Sequence, residues 1–510
     1  MKYLLLAIFL LPLARPATAQ TPPPPNIILF LVDDMGWQDC SVPFAAQKTK
    51  WNELYRTPNM ERLAAQGMKF TQAFANQNCT PTRVSLMTGM NVVQHGVTSW
   101  IFAKDREPED QSRQRLQSPA WRLNGMATTP GDTNAVYATP LPVLLRQAGY
   151  TTIHVGKAHL GARGTPAADP GQLGFDRNIG GSHIGHPASY LGIDNFGNRP
   201  PNGPDSRAVP GLDEYWGKDI FLTEALTQKA LHTVDSVVQA GRPFFLQLAH
   251  YAVHLPFIAD KRYVQRYYAM GMDSTEALYA ALLEGMDKSL GDVMDYLEKR
   301  GLTKNTLLVF MSDNGGLSDV RRGAANLNQY NSPARSGKTS GYDGGLRIPM
   351  LAQWPGHIAA GSTCGNNVIV EDFFATCLAL SGLKKPAMVQ RVDGQSWLPL
   401  FAGKKAYTNR PITWHYPHQH MGRHADVYPF SAIRQGSWKL LYNHTTQGLE
   451  LYNTLTDVGE QNNLAASEPK RVKQMAAQLG KALRSSPVGM PVDKATKVGM
   501  GYPDGVVNKK

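Results

Sequence analysis

The chain is 510 residues long, 42% hydrophobic and 18% charged, which allows one large α/β domain with a smaller appendage and by itself says no more than globular. Its formal net charge of +12 suits an acidic partner, with sulfated polysaccharide, nucleic acid and anionic membrane all open on charge alone, and the scattered Lys and Arg residues, with no basic arm, leave a solvated surface as the competing reading; no nucleic-acid partner is expected. Four cysteines, Cys40, Cys79, Cys364 and Cys377, are few for this length and lack Cys-x-x-Cys spacing, so a disulfide framework is not what holds the fold.

Residues 1–19 read as a signal peptide: Lys2, an apolar run from Tyr3 to Leu13, then Ala17-Thr18-Ala19 with small residues at the cleavage positions. An exported protein, periplasmic or secreted, is expected. No later run reaches about 18 apolar residues, so no stable membrane anchor is expected. Thr21 to Pro25 makes a stiff lead-in. Asn26 to Val32 is a continuous apolar run, the pattern of a strand buried on both faces. Similar runs follow at Thr151 to Val155, Pro243 to Leu248, Thr306 to Met311 and Ile348 to Gln353. Helix patterns lie between them: Thr57-Pro58 opens one that closes at Gly67, Thr139-Pro140 one that closes at Gly149, and Ser274 to Arg300 is long and amphipathic. Strands alternating with helices predict an α/β fold with a large, mostly parallel sheet sandwiched by helices, spanning residues 26–405. From about Pro411 the segments shorten to Pro411 to Tyr416, Phe430 to Gln435, Trp438 to Asn443 and Leu449 to Asn453, then a helix from about Ser467 to Arg484. These predict a small C-terminal antiparallel sheet plus helix, residues 406–490.

Polar groups gather where the strands end, the place where open α/β sheets keep their ligand crevice. Asp33-Asp34 follows the first strand, and Asp313-Asn314 follows Thr306 to Met311. Three carboxylates and an amide form an all-oxygen set suited to a hard cation, Ca²⁺ or Mg²⁺. Either pair alone is common turn chemistry; together at one sheet edge they point to metal.

Cys79-Thr80-Pro81-Thr82-Arg83, continuing through Ser85-Leu86-Met87-Thr88-Gly89, decides the functional class. Cys-x-Pro-x-Arg with a downstream Leu-x-Thr-Gly resembles the type I sulfatases, the arylsulfatase-like branch of the alkaline phosphatase superfamily. Gly156-Lys157-Ala158-His159-Leu160-Gly161 is similar to the family's Gly-Lys-Trp-His-Leu-Gly segment, with Ala158 in the aromatic position. His254-Leu255-Pro256, Gly337-Lys338, and the stretch Tyr342-Asp343-Gly344-Gly345-Leu346-Arg347-Ile348-Pro349 match further elements in the family's order, with Asp343 where Glu is common. Ile433 to Leu440 and Glu450 to Asn453 resemble its C-terminal subdomain.

The resemblance implies an alkaline phosphatase-like fold and a sulfatase whose Cys79 is oxidised to formylglycine by a formylglycine-generating or anaerobic sulfatase-maturating enzyme. It implies Ca²⁺, with Mg²⁺ the alternative, held by Asp33, Asp34, Asp313, Asn314 and the modified Cys79. Arg83, Lys157 and Lys338 would surround the transferring sulfonyl group, His159 would take a proton from the nucleophile, and His254, together with Lys338, would protonate the leaving oxygen. A sulfated carbohydrate is the expected substrate, with Ser182, His183, Arg347, His415, His418 and His424 as sugar contacts. For His183, His415 and His418, packing within their loops is the competing reading. A helix is expected to start at Pro81. The rivals are a phosphonate or phosphate ester hydrolase of the same superfamily, a sulfoglycan-binding protein with an unmodified Cys79, and a thiol enzyme.

Overall fold

Residues Asn26–Val32 form strand β1, buried throughout because parallel partners flank it on both edges. The computed structural model describes residues 24–199, 203–323, 329–406, 409–419 and 426–507; the expected leader at 1–19 and His424 lie outside the described residues. The other strands of the main sheet are β2 (Met68–Phe70), β3 (Thr151–Gly156), β4 (Arg177–Ile179), β5 (Phe244–Ala249), β6 (Thr306–Ser312), β7 (Met350–Gln353) and β8 (Ser362–Cys364). They lie in the order β8-β2-β7-β6-β1-β5-β3-β4. The β6-β1-β5-β3-β4 run is parallel, as expected from the apolar strands alternating with helices. The expected strand Ile348 to Gln353 starts two residues later and runs antiparallel to both β6 and β2.

Side-chain alternation along β1 splits the core in two. Ile27, Leu29 and Leu31 face one apolar cluster, and Ile28, Phe30 and Val32 face the other. Helices α1 (Pro58–Gln66), α2 (Cys79–Thr88), α3 (Leu141–Gln147), α4 (Leu222–Gln239), α5 (Ser274–Lys299) and α6 (Asp372–Leu380) cover the two faces. Helices α2, α3 and α6 add Val84, Leu144 and Phe373 to the first cluster; α4 and α5 add Leu226 and Met286 to the second. The N-terminus of α5 is capped by Asp273, whose carboxylate accepts from the Thr275 and Glu276 N–H groups.

Strands β9 (Pro411–Tyr416), β10 (Phe430–Gln435), β11 (Trp438–Asn443) and β12 (Gly448–Asn453) pair in chain order as an antiparallel meander. Helix α7 (Pro469–Arg484) seats Val472, Met475, Leu479 and Leu483 on its Ile433, Leu440 and Leu451. The ordered chain continues past 490: Val492–Asp493 pairs with Leu116–Gln117, and Pro503–Val507 packs near α7.

The seam between the two sheets carries a buried ion cluster centred on Asp343. Its carboxylate accepts from Arg347 (2.6 Å), from Arg434 on β10 (2.6 Å) and from Lys439 on β11 (2.8 Å), and Glu460 accepts from Lys439 (2.8 Å). Burial by itself would raise the Asp343 carboxyl, but Arg434, Lys439 and Arg347 hold it well below the usual carboxylate range. Asp343→Asn would leave buried cations without their counter-charge and should cost about 3–5 kcal/mol. A urea unfolding midpoint unchanged from wild type would contradict that.

Candidate active site

Parallel pairing of β1 and β6 sets their following residues side by side. The Asp313 N–H donates to Val32 O (3.0 Å), and the Asp34 N–H donates to Asp313 Oδ1 (3.3 Å). Strand β3 ends at Gly156, whose φ of +95° and close approach exclude a side chain: a Cβ there would lie 2.0 Å from Ala249 O. The turn sends Lys157 back under the sheet edge, with Nζ 2.6 Å from Asp33 Oδ2. His159 has φ +52°, a left-handed conformation costly for a non-glycine residue, fixed by its N–H donating to Ser182 O (3.0 Å).

Helix α2 begins at Cys79, two residues before the expected start at Pro81, with Asn78 as its N-cap residue. The thiol therefore sits in the first turn, beside the positive end of the helix dipole. Gly89 closes α2 at φ +67°, where a Cβ would meet the Phe374 ring at 2.7 Å. One turn into the helix, fully buried Arg83 donates twice to Asp313 Oδ2 (3.0 and 2.8 Å) and once to Lys157 O.

The His159 ring has a defined tautomer. Its Nε2 lies 2.8 Å from Ile101 O, a carbonyl that only accepts, so Nε2 carries the proton. Nδ1 then presents a lone pair to Cys79 Sγ and Thr80 Oγ1, each at 3.3 Å. Burial, reinforced by Lys157, holds His159 well below the ordinary imidazole range, so it is a neutral base.

Asp34 is the meeting point of the opposite wall. Its Oδ1 accepts from Lys338 Nζ (2.6 Å) and Asn314 Nδ2 (2.9 Å), and its Oδ2 lies 3.5 Å from His254 Nε2. Burial works against ionisation of Asp34, but Lys338 and His254 outweigh it and lower the carboxyl. Asp33 goes the other way: burial and the neighbouring Asp313 charge raise it well above the usual range despite Lys157. Among the described residues, three buried oxygens here have no hydrogen-bond partner: Asp33 Oδ1, Asp34 Oδ2 and Asn314 Oδ1. Buried unpaired oxygens are costly, and a cation among them removes that cost. The residues therefore fit a hard divalent ion. Donor atoms of Asp33, Asp34 and His254 fall within 4.8 Å of one another, so His254 lies at the edge of the same set.

Cys79, His159, His183, His186, His254 and Lys338 line a cleft of about 220 Å³. A larger cavity of about 640 Å³ near Glu371 and Arg410 contains none of these groups, so chemistry and not volume picks out the site. The sulfatase family pattern matches residues 25–383, and the pattern of the N-sulphoglucosamine sulphohydrolase C-terminal region matches residues 337–487. The chain belongs to the sulfatase family. It is 33% identical over 408 residues to the N-acetylgalactosamine-6-sulfatase of Mus musculus, covering 78% of this chain and 70% of that protein. It is 28% identical over 510 residues to a sulfatase of Formosa agariphila, covering 90% and 88%. The crystal structure of Ps i-CgsB in complex with a neocarrahexaose superposes with a TM-score of 0.69 at 27% identity, covering 95% of this chain and 97% of that one. A phosphonate monoester hydrolase of Agrobacterium radiobacter, at 17% identity and a TM-score of 0.56, shares the fold.

This sulfatase is thus a sulfuric ester hydrolase of the alkaline phosphatase superfamily. No helix among its described residues is long and apolar enough to cross a membrane. Cys40, Cys364 and Cys377 are buried free thiols.

Three of the expected sugar contacts lie elsewhere. Arg347 is spent on Asp343, with its guanidinium over the Trp37 and Phe74 rings. His415 is buried on β9, bridging Ser431 Oγ (2.8 Å) and Gly489 O (3.2 Å). His418 bonds Thr98 Oγ1 (2.7 Å) and packs edge-on to Trp121. All three are packing residues of the seam and its neighbouring loops. Ser182 supports His159 through its carbonyl, whereas His183 does line the cleft. Ala158 is buried and is not part of the lining. Reading the sequence missed Trp100, Phe102, His186, Arg207 and Arg321, which also line the cleft. Loop residues of this kind carry no period or spacing that would mark them; the run Trp100-Ile101-Phe102 looks the same as core.

Proposed function

We propose that this sulfatase removes sulfate from a sulfated saccharide, using a formylglycine made from Cys79 and a calcium ion held by Asp33, Asp34, Asp313 and Asn314. One observation carries the reading: partnerless buried oxygens of Asp33, Asp34 and Asn314 share a site with a helix-start thiol that faces a neutral imidazole. The saccharide rests on the relatives, named as an N-acetylgalactosamine-6-sulfatase and as a structure in complex with a neocarrahexaose. A hard cation, calcium with magnesium the alternative, fits because carboxylate and amide oxygens outnumber the one imidazole at the edge. Export with loss of residues 1–19, and maturation by a formylglycine-generating or anaerobic sulfatase-maturating enzyme, belong to the same reading.

A hydrated aldehyde at position 79 supplies two hydroxyls on one carbon, one to attack sulfur and one whose deprotonation later expels sulfate. A bound divalent ion supplies polarisation of a sulfate oxygen. The rest is done by the chain's own side chains. His159 Nδ1 stands where it can take a proton from an oxygen in the position of Cys79 Sγ. Arg83, Lys157 and Lys338 place three fixed positive charges around the transferring group in a site largely closed to water.

The proton for the leaving oxygen comes from the wall opposite. His254 Nδ1 lies 3.0 Å from Leu255 O and so carries the hydrogen, and burial holds the ring well below its ordinary range. Lys338 is held protonated, because Asp34, 2.6 Å away, outweighs its burial. Lys338, paired to Asp34 at 2.6 Å, is therefore the charged donor, and His254, whose Nε2 carries no proton, faces the same carboxylate without a hydrogen bond. Lys338→Ala should slow a sugar sulfate by about 10²–10⁴-fold. It should slow nitrophenyl sulfate much less, because nitrophenolate leaves without a proton. Equal losses on both esters would remove Lys338 from this role.

The test of the function is turnover by matured enzyme of a panel of sulfated mono- and oligosaccharides. Release of sulfate from none of them would defeat the saccharide assignment.

A further inference from the structure

A cleft of about 220 Å³ lies below the roughly 300–1,000 Å³ of sites that enclose a whole drug-sized ligand. Only the sulfated group and its own ring can enter, and the rest of a longer saccharide must lie across the mouth. That mouth is edged by Trp100, Phe102, Arg207 and Arg321. Most of its polar groups are already engaged. Trp100 Nε1 donates to Glu109 (3.1 Å), Arg321 pairs with Asp319 (2.6 Å), and the Arg163 guanidinium stacks 5.0 Å above Phe102.

Arg207 differs. It is exposed, and its guanidinium has no carboxylate or other side-chain acceptor among the described residues. Its backbone is nonetheless fixed: its N–H donates to Asp205 Oδ1 (2.9 Å), and its carbonyl accepts from the Ala188 N–H (2.9 Å). A cation at a fixed place on the cleft lining, its guanidinium without a side-chain partner among the described residues, fits an oxyanion brought by the ligand. A guanidinium matches the two oxygens of a sulfate or carboxylate in a way an ammonium does not.

We infer that Arg207 forms a second anion site, which takes a sulfate or carboxylate on the sugar next to the one being desulfated. The inference rests on the saccharide reading above and narrows it to polyanionic glycans. It is tested by calorimetric binding to full-length Cys79→Ala protein, which holds ligand without turnover. The probes are three disaccharides ending in 6-sulfated N-acetylgalactosamine, whose neighbouring sugar is neutral, a uronic acid, or sulfated. The doubly anionic probes should bind more tightly than the neutral-neighbour one, the better of the two identifying the anion. Adding Arg207→Ala should shrink that preference by about tenfold. Arg207→Lys should restore part of it.

Equal weakening of all three probes by Arg207→Ala, or no preference for a second anion in the parent protein, would overturn the site. Turnover of matured wild-type enzyme separates the two claims. If it releases no sulfate yet the Arg207-dependent preference persists, the anion site stands and the sulfatase chemistry on these sugars does not.

Discussion

Cys79→Ala should abolish sulfate release, by at least about 10³-fold and toward the 10⁶-fold typical of lost nucleophiles, while leaving the protein folded. The side chain is small and sits in the first turn of α2, where alanine is a good helix former. Its sulfur bonds only the His159 ring among the described residues, and His159 keeps its bonds to Ile101 O and Thr80. The expected signature is an unchanged unfolding midpoint beside lost activity. Cys79→Ser makes the argument sharper. Serine offers one hydroxyl and no second to expel sulfate, so any turnover should stop after a single event per enzyme. Steady multiple turnover by the serine variant would show that the aldehyde is dispensable.

Removing the divalent ion should be nearly as severe. With Asp33, Asp34 and Asp313 crowded at one sheet edge, burial and the Asp313 charge raise Asp33 even with Lys157 in contact, and a divalent cation beside Asp33 Oδ1 would oppose both. Chelation should lower kcat/KM by about 10³-fold or more, and calcium should restore it. A readout free of catalysis accompanies this: saturating the stripped protein with calcium at about 100 times Kd should stabilise it by about 2.7 kcal/mol. Asp33→Ala should erase that gain. An unfolding temperature indifferent to calcium, magnesium and chelator alike would contradict the proposed ion.

The central chemistry was legible because it depends on local pattern. Asp33-Asp34 and Asp313-Asn314 follow apolar runs that become adjacent parallel strands, so the carboxylates meet. The Cys79 to Gly89 stretch spells a whole helix with its glycine cap. What could not be read was long-range choice. Arg347 lies in a stretch that matches the family, yet its charge is consumed by Asp343, whose partners Arg434 and Lys439 come from strands about ninety residues onward. His415 lies on the face of β9 opposite its core residues Ile412, Trp414 and Tyr416, and is buried there only because Ser431, His444 and Gly489, distant in sequence, cover it. Arg207 and His186 reach the cleft on loops whose course is set by contacts such as Ala188 N–H to Arg207 O. No periodicity encodes those. The direction of β7 was also out of reach, since an apolar run is the same in either orientation.

The most direct measurement is the mass of the proteolytic peptide containing Cys79, taken from enzyme that releases sulfate from a saccharide. The expected result is an aldehyde in place of the thiol, in a fraction that tracks specific activity across preparations. Full activity from protein whose position 79 is entirely a thiol would contradict the proposal.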